Sequence, residues 1–435
     1  MKIAIVGSGI SGLGCAHALM HAAALERSPV ELTLYEADAR LGGHTNTVDV
    51  RVSDTDFAVD TGFLVFNERT YPNLIRLFDE LGVPVAKSDM SFAVSTPIDG
   101  AFGKRTLEWS GTNLATVFAQ RRNLLSPKFV SMLADLLRFN REATALAQAA
   151  TPPAATLGEF LDAGRYGEPF RRWYLLPMAG AIWSCPTRTM LAYPAATFSR
   201  FCHNHGLLQV ADRPQWFTVA GGARQYVRAI ASQIERGHRI RLGDPVRELR
   251  RVAGRVQVTS AHGRDWYDQV VLACHSDQSR VLLRDADADE TRVLAGVSYQ
   301  PNRAVLHTDV GLLPQSRKVW SAWNTMSSGG DEPNVSVSYL LNKLQPLPVS
   351  APVIVTLNPI TEPRADSVIA EFDYEHPIFD AAAIDAQRRL PAVQGRNRVW
   401  FAGAWTGYGF HEDGLSSGLA VAQSLAALSR ERLAA

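Results

Sequence analysis

The chain opens on short apolar runs set between amphipathic stretches. Residues 2–6, KIAIV, are the apolar, β-branched run of a strand buried on both faces, and the run stops at Gly7. A helical pattern follows from Ile10 to about Ala24, then a second apolar strand over 30–35 that ends on Glu36. Residues 46–60 read as two short strands around a turn at 53–56. From Tyr71 the pattern is helical through Leu81, with Gly82 as C-cap and Pro84 beyond it, and short strands are predicted around Val85 and over 92–94.

Residues 112–204 change character. Leucine- and aromatic-rich helical patterns run over 129–150, from Leu157, over 166–176 and over 190–203, with Pro152 and Pro153 breaking the run. Nothing there alternates like a strand, so the segment reads as a helical insertion. Phe129, Leu136, Leu137 and Phe139 recur at helical spacing, which reads as core rather than membrane surface. Sheet signals return at 216–219, Gly221 and Gly222 introduce a helix ending near Gly237, and 239–242, 246–251, 256–260 and 266–273 form a strand-rich block. Five β-like segments, 302–309, 319–324, 335–341, 352–357 and 368–374, predict an antiparallel sheet. The end repeats the opening: an apolar strand over 399–402 stops at Gly403, and a helix starts near Gly414.

This order predicts an α/β protein. A discontinuous Rossmann-like domain (1–70, 215–285 and 395–435) is interleaved with an α+β domain (71–214 and 286–394), the expected substrate domain, made of the helical insertion and the antiparallel sheet. The length of 435 residues suits two domains, and 46% hydrophobic with 20% charged residues is ordinary for a soluble enzyme. Net charge is +1 with no sustained charged run, so the arginine pairs at 121/122, 171/172 and 250/251 read as solvated faces and no nucleic-acid partner is expected. Cysteines at 15, 185, 202 and 274 form no C-x-x-C, which suits a reducing cytoplasm and argues against a disulfide framework or a structural zinc. No apolar stretch approaches the roughly 18 residues of a membrane span, so contact with the inner membrane is expected to be at most peripheral. Glycines inside the first apolar run argue against a secretory signal.

The opening carries the chemistry. Gly7, Gly9 and Gly12 fill a G-x-G-x-x-G after a strand and before a helix. The first glycine allows a tight turn, the second a close approach of a diphosphate to the backbone, and the third helix-to-strand packing. Glu36, at the end of the second strand, stands where a carboxylate accepts ribose hydroxyls.

Further motifs are RLGGHT (40–45), DTG (60–62), GDPV (243–246), VVLAC (270–274), FAGAW (401–405) and GFHEDGLSSG (409–418). With them the chain resembles the flavin-containing amine oxidase superfamily, which also holds protoporphyrinogen oxidases and phytoene desaturases. It is similar in particular to a bacterial branch of FAD-dependent oxidoreductases linked to fatty-acyl lipid modification. The resemblance implies an FAD site built from Gly7, Gly9, Ser11, Gly12 and Glu36, with Arg40, Gly42 and Gly43 as a second phosphate-proximal loop and His44, Thr45 and Gly62 as further cofactor-binding positions. It implies Val246 at the adenine edge, and Gly403, Gly414, Leu415 and Gly418 in a loop closing over the flavin. No cysteine lies in that loop, so FAD is expected to be non-covalent.

Two departures stand out. Ala404 follows the glycine of FAG, where the family often has an acidic residue, and Asn302 and Arg303 stand near where amine oxidases of the superfamily carry a lysine. Lys343 reads most simply as a surface lysine. Trp405, Tyr408 and Phe410 could wall a substrate site, with loop packing as the plain alternative, and His411 is the candidate for proton transfer. Asn342, Gln345 and Trp183 are secondary pocket candidates with structural roles as the simpler account.

Three other signals read as false. GLSSG (414–418) matches a nucleophile elbow, but the chain ends before an acid and a histidine could follow. CHNH (202–205) fits no common zinc spacing, and Cys274 and His275, being sequence neighbours, face opposite ways. No metal is expected. The expected activity is hydride abstraction from a largely apolar, fatty-acyl substrate. An amine oxidase making imine and peroxide is one alternative, and an FAD-stabilised, non-enzymatic partner in a lipid-modifying assembly is another. Electron acceptor and oligomeric state stay open.

Overall fold

The computed structural model describes residues 1–26, 29–100, 103–183, 186–210, 212–329 and 334–434. The opening run forms β1 (Lys2–Val6), followed by α1 (Ile10–Glu26) and β2 (Glu31–Tyr35). Both strands lie in a five-stranded parallel sheet of order Arg239–Arg241, β2, β1, Gln269–Leu272, Val399–Phe401. Ile3, Ile5, Leu32, Leu34, Val271 and Phe401 are buried on both faces of this sheet, as continuous apolar runs require. Helix His411–Ala434 packs beside α1 at glycine-wide distance: a Cβ on Gly14 would stand 2.4 Å from Leu415 Cδ1, and one on Gly418 would stand 2.2 Å from the Ser11 carbonyl oxygen.

The single strand expected over 266–273 is two. Asp268 accepts from the Lys2 amide (2.8 Å) through its carboxylate and donates its own amide to the Lys2 carbonyl (2.9 Å). That clamp breaks the run. Gly263–Tyr267 joins an antiparallel sheet with Arg255–Ser260 and Val246–Val252, while Gln269–Leu272 enters the parallel sheet.

The second large sheet has seven strands in the order Val368–Ile378, Ser298–His307, Ile354–Leu357, Val335–Leu340, Trp323–Ser327, Phe92–Gly100, Gly103–Ser110. It is mixed rather than wholly antiparallel, because Trp323–Ser327 pairs parallel with Phe92–Gly100. Part of the segment expected as a strand over 319–324 is a 3-10 turn, Arg317–Val319, and the strand starts at Trp323. Gly103–Ser110 is a strand that the alternation did not reveal. Its inward Glu108 is buried, with its carboxylate accepting from the Gln315 (2.7 Å) and Ser316 (3.0 Å) amides.

The insertion is helical as expected, over Pro127–Gln148, Leu157–Ala163, Leu176–Trp183, Thr187–Leu191 and Ala195–Asn204. Ser126 caps the first of these and a Thr156/Glu159 capping box opens the second. Phe129 and Phe139 are core, Leu136 is half-buried and Leu137 is exposed. Helix Pro72–Leu81 ends at Gly82 in the left-handed conformation, the C-cap expected there. No helix among the described residues is long and apolar enough to cross a membrane.

Candidate functional site

At the nucleotide end the backbone sets the geometry. Gly7 has φ +103°, and a Cβ there would stand 2.7 Å from the Ala273 carbonyl oxygen. Gly12 is closed in the same way, with its Cβ position 2.0 Å from the Gly7 carbonyl oxygen. Gly9 differs: a Cβ there would meet nothing within 4 Å. Its open face adjoins the start of α1, where the first helical amides lack intrahelical acceptors and the dipole favours an anion. Gly43 (φ +56°) turns against Gly9, with its Cβ position 3.3 Å from Gly9 Cα, and the Gly42 amide donates to the Ser8 carbonyl at 3.1 Å. Arg40 braces this second loop by donating to the carbonyls of Gly43 (2.8 Å) and Thr45 (3.4 Å).

Glu36 accepts from the Ser8 amide (2.9 Å), the Ser8 hydroxyl and the Asp38 amide (2.9 Å). The carboxylate is therefore oriented and retains acceptor capacity. The Asp244 amide donates to the Glu36 carbonyl (2.9 Å) and the Gly243 amide to that of Asp38 (3.0 Å). These bonds bring the 243–246 segment, ending in Val246, alongside Glu36.

The closing loop meets α1 from the other side. A Cβ on Gly414 would stand 2.9 Å from both Ile10 Cγ2 and Ser11 Oγ, Leu415 is fully buried, and the Gly403 amide donates to Ser417 Oγ at 2.9 Å. The two acidic residues after the loop are committed elsewhere. Glu412 accepts from the Asn73 amide (2.9 Å), Asn73 Nδ2 (2.8 Å) and the Leu74 amide (3.0 Å), capping helix Pro72–Leu81. Asp413 accepts from the Phe410 amide (3.0 Å), which starts the last helix at His411 rather than Gly414, and burial pushes its pKa up to about 6. Neither replaces an acidic side chain at Ala404.

His411 Nε2 lies 2.9 Å from the Thr45 hydroxyl and 3.3 Å from that of Tyr226, and its ring stacks on Phe63 at 3.8 Å between centroids. Burial pulls its pKa down to about 3, so the imidazole is neutral across the physiological range. Trp405 is buried over Gly403, with its indole nitrogen unpartnered among the described residues. Tyr408 and Phe410 pack against Phe201 of the helical block, at 5.8 and 4.9 Å, and Phe201 in turn packs on Trp183 at 4.6 Å.

A second group of rings went unnoticed in the sequence. His44 stacks on Tyr374 (5.2 Å) and faces His376 (5.2 Å) and His275 (6.4 Å), and its Nε2 is buried without a partner among the described residues. His275 stacks on Tyr299 at 4.3 Å, and Tyr374 OH bonds Thr61 (2.8 Å) and Asn46 (3.0 Å). Asn302 is buried beside them: its Nδ2 lies 2.8 Å from His376 Nδ1 and its Oδ1 accepts from Asn358 at 2.6 Å. Burial lowers the pKa of His44 well below the ordinary value, that of His376 to about 4, and that of His275. Charge on His376 or His275 would lower His44 further. The available signal was the two-residue spacing of Tyr374 and His376, which puts both on one strand face opposite Asn302.

The nearby cations point elsewhere. Arg303 pairs with Glu362 and Glu371 at 2.8 Å each, and Lys343 pairs with Asp89 at 3.3 Å on the surface. Asp60, of the DTG motif, is a buried clamp that accepts from the Thr47 hydroxyl, the Ala223 amide (3.0 Å) and Gln345 Nε2 (2.8 Å). Burial raises its pKa to about 6. Gly62 is closed by the His44 carbonyl oxygen, 2.1 Å from its Cβ position. Gln345 serves this clamp, and Asn342 Nδ2 donates to the Val349 and Ala351 carbonyls.

The signals read as false have structural uses. Residues 414–418 lie within a helix. His205 stacks on Phe201 at 3.9 Å, and Cys274 Sγ lies 3.3 Å from Ser279 Oγ while His275 turns to Tyr299. Among the described residues Cys15, Cys202 and Cys274 are free thiols, and no group of three or more His, Cys, Asp or Glu could hold a metal. Cys185 lies outside the described residues.

A parallel sheet that presents a glycine-rich turn to a helix start, closed by a second helix start and backed by a mixed sheet, defines a two-domain protein of the dinucleotide-binding kind. The flavin containing amine oxidoreductase family matches residues 10–336, and the chain belongs to it, as a flavin-dependent oxidoreductase. Cyclohexylamine oxidase from Brevibacterium oxydans superposes with TM-score 0.67 at 16% identity, covering 100% of this chain and 99% of that one. A fatty acid isomerase from P. acnes superposes with TM-score 0.66 at 13% identity, covering 97% and 98%. At such identities the likeness shows the fold alone. Lysine-specific histone demethylase 1 of Schizosaccharomyces pombe is 30% identical over 104 residues, which is 22% of this chain and only 10% of that protein.

The residues present fit a flavin dinucleotide. Gly9 leaves an open backbone floor at a helix start, and the unpartnered His44 Nε2 and Trp405 Nε1 are buried polar atoms that a polar ring system would satisfy.

Proposed function

We propose that the chain is an FAD-dependent oxidoreductase, with FAD bound non-covalently, that removes a hydride from a largely apolar substrate, a fatty-acyl chain. One observation carries this reading: a buried, hydrogen-bonded asparagine and buried imidazoles, with no lysine or arginine among them, gather at the far end of the site, and Glu375, 3.5 Å from His275, is the carboxylate that borders them. Asn302 stands near where the superfamily's amine oxidases carry a lysine, and His44, His376 and His411 are all held uncharged by burial. Arg303 and Lys343 are turned to surface carboxylates. Such a lining suits a hydrocarbon better than an ammonium ion. The fold itself is compatible with either, since it is shared with a cyclohexylamine oxidase and a fatty acid isomerase.

In this reading Gly7, Gly9, Ser11 and Gly12 with the α1 amides hold the diphosphate, and Glu36 and Val246 hold the adenosine end. Arg40, Gly42 and Gly43 flank the phosphates, Thr45 and Gly62 support that loop, His44 leads from it toward the flavin ring, and Gly403, Gly414, Leu415 and Gly418 close the flavin end. A bound flavin supplies a two-electron acceptor for a substrate C–H bond. Tyr408 and Phe410, backed by Phe201 and Trp183, form an aromatic wall that lies along an acyl chain and excludes water. Trp405 packs behind Gly403. His411 acts as a positioning residue that ties the 40–45 loop to the last helix through Thr45.

Acid or heat denaturation is expected to release the yellow chromophore into the supernatant; colour retained in the pellet contradicts non-covalent binding. In air, acyl lipids are expected to be dehydrogenated and an amine panel to give no peroxide. Peroxide from amines alone identifies an amine oxidase. Inertness to both panels, with a partner protein lost on surface mutation, identifies a non-enzymatic component.

A further inference from the structure

Fifteen large apolar side chains are exposed among the described residues, and five of them fall between positions 114 and 137: Leu114, Leu124, Leu125, Val130 and Leu137. Leu125 is 89% and Leu114 78% exposed. Leu124 and Leu125 end the 3-10 turn Arg121–Leu125, which leads through the Ser126 cap into helix Pro127–Gln148. On that helix Val130, Ala134, Leu137 and Arg141 follow one another at spacings of four, three and four and are all exposed. They share one face. Phe129, Met132, Phe139 and Ala143 on the other side are buried in the helical block.

The charge of this surface is one-sided. Residues 112–141 carry Arg121, Arg122, Lys128, Arg138 and Arg141 against the single acid Asp135, in a chain whose net charge is +1. Asp135 is taken by Arg138 at 2.8 Å. Arg121, Arg122, Lys128 and Arg141 are exposed, and none ion-pairs with a carboxylate among the described residues. Arg122 donates to the Thr106 carbonyl at 3.3 Å, which fixes its stem without neutralising it.

We propose that residues 112–141 dock the protein on an anionic bilayer surface, with the leucines at the acyl boundary and the arginines and lysine at lipid phosphates. An exposed apolar stripe that ends at Arg141 and is preceded in the chain by Arg121 and Arg122, beside Leu124 and Leu125, is complementary to that surface, and each such cation near an anionic leaflet adds to binding. A second copy of the chain is a poor occupant, because a two-fold contact would press this patch against itself, like charge on like. No described helix is long and apolar enough to span, so the protein lies on the bilayer. The patch stands on its own residues and does not depend on the acyl-substrate reading. The buried side of the same helix, Phe129, Met132 and Phe139, shares one core with Phe201 and Trp183, the side chains that back the aromatic wall.

The test is co-sedimentation of the flavin-loaded protein with vesicles of phosphatidylcholine alone and of phosphatidylcholine with phosphatidylglycerol, at low and high salt. The protein is expected to pellet with the anionic vesicles only and to be released by salt. L124S/L125S and R121E/R122E are each expected to weaken binding tenfold or more, while flavin absorbance and melting temperature stay at wild-type values. Wild-type protein left in the supernatant, variants that bind like wild type, or salt-insensitive binding to phosphatidylcholine alone would each overturn the proposal. So would a concentration-dependent oligomer that L124S/L125S dissolves without any vesicle binding. Vesicle binding is read without turnover, so its failure and a failure of the substrate reading are told apart.

Discussion

The two ends of the site are built from different materials. At the nucleotide end the backbone does the positioning: Gly7, Gly12, Gly42 and Gly62 are each pinned by a positive φ or by a carbonyl oxygen within 3 Å of where a Cβ would stand, and Gly9 alone is open. At the far end side chains do it, converging from His44, His275, Tyr299, Asn302, Tyr374 and His376 through ring stacking and amide bonds. A backbone site tolerates almost no change of residue type but says little about substrate. A side-chain site sets the chemistry and can be retuned position by position.

The hardest test of that contrast is Gly12→Val. With the Gly7 carbonyl oxygen 2.0 Å from the Cβ position, the cost should exceed the ~3 kcal/mol usual for overpacking, and the protein is expected to be recovered without flavin or insoluble. Gly9→Ala is the counterpart. Its Cβ meets no protein atom within 4 Å, so the melting temperature is expected to hold while flavin affinity falls about tenfold, which is about 1.4 kcal/mol. Equal losses of stability in the two variants would erase the distinction.

Acid should act through the buried histidines, at the far end and elsewhere in the fold. A histidine whose folded pKa lies below its unfolded value contributes stability that is complete above about 6.5 and is lost as pH falls through the folded pKa. For His376, lowered to about 4, that amounts to at most about 3 kcal/mol by pH 4, and His44, His205, His307 and His411 act in the same sense. Asp60 and Asp413, raised to about 6, work in the opposite direction: their contribution is complete below about 4 and is lost as pH rises through 6. With His238 and His275 lowered as well, seven histidines outweigh two carboxyls, so the melting temperature is expected to drop between pH 6.5 and 4, and less steeply in His376→Asn. A profile that rises over that interval would show the carboxyls in control.

Two smaller effects sharpen the comparison. Asn302→Ala strands His376 Nδ1 and the Asn358 amide, so a loss of about 1–3 kcal/mol in thermal unfolding is expected. Lys343→Ala removes a surface pair with Asp89, worth at most about 1 kcal/mol, and turnover is expected to be unchanged. A large loss of turnover in that variant would move the lysine into the site.

What could be read from the sequence follows the same division. The glycine turn, Glu36, the 40–45 loop and the closing segment were legible because backbone constraints leave residue-type signatures at fixed spacings. The long helices were legible from periodicity. Gly103–Ser110 was not, because only Leu107 and Trp109 mark its apolar face and the other face carries Thr106, the buried Glu108 and Ser110, and the run over 266–273 concealed the change of sheet at Asp268. The histidine cluster was legible only in part: the spacing of Tyr374 and His376 puts both on one strand face, but His44, on the 40–45 loop, meets them only in the folded chain. His411 drew attention by its proton chemistry, yet burial and the Thr45 and Tyr226 hydroxyls make it a neutral tie.

The asparagine-and-imidazole lining of the far end carries the central claim, and anaerobic mixing tests it most directly. A fatty-acyl lipid and an alkylamine of the same chain length are added separately to the flavin-loaded protein, and the flavin absorbance is followed. The acyl lipid is expected to bleach it and the amine to leave it unchanged; bleaching by the amine alone would contradict the account.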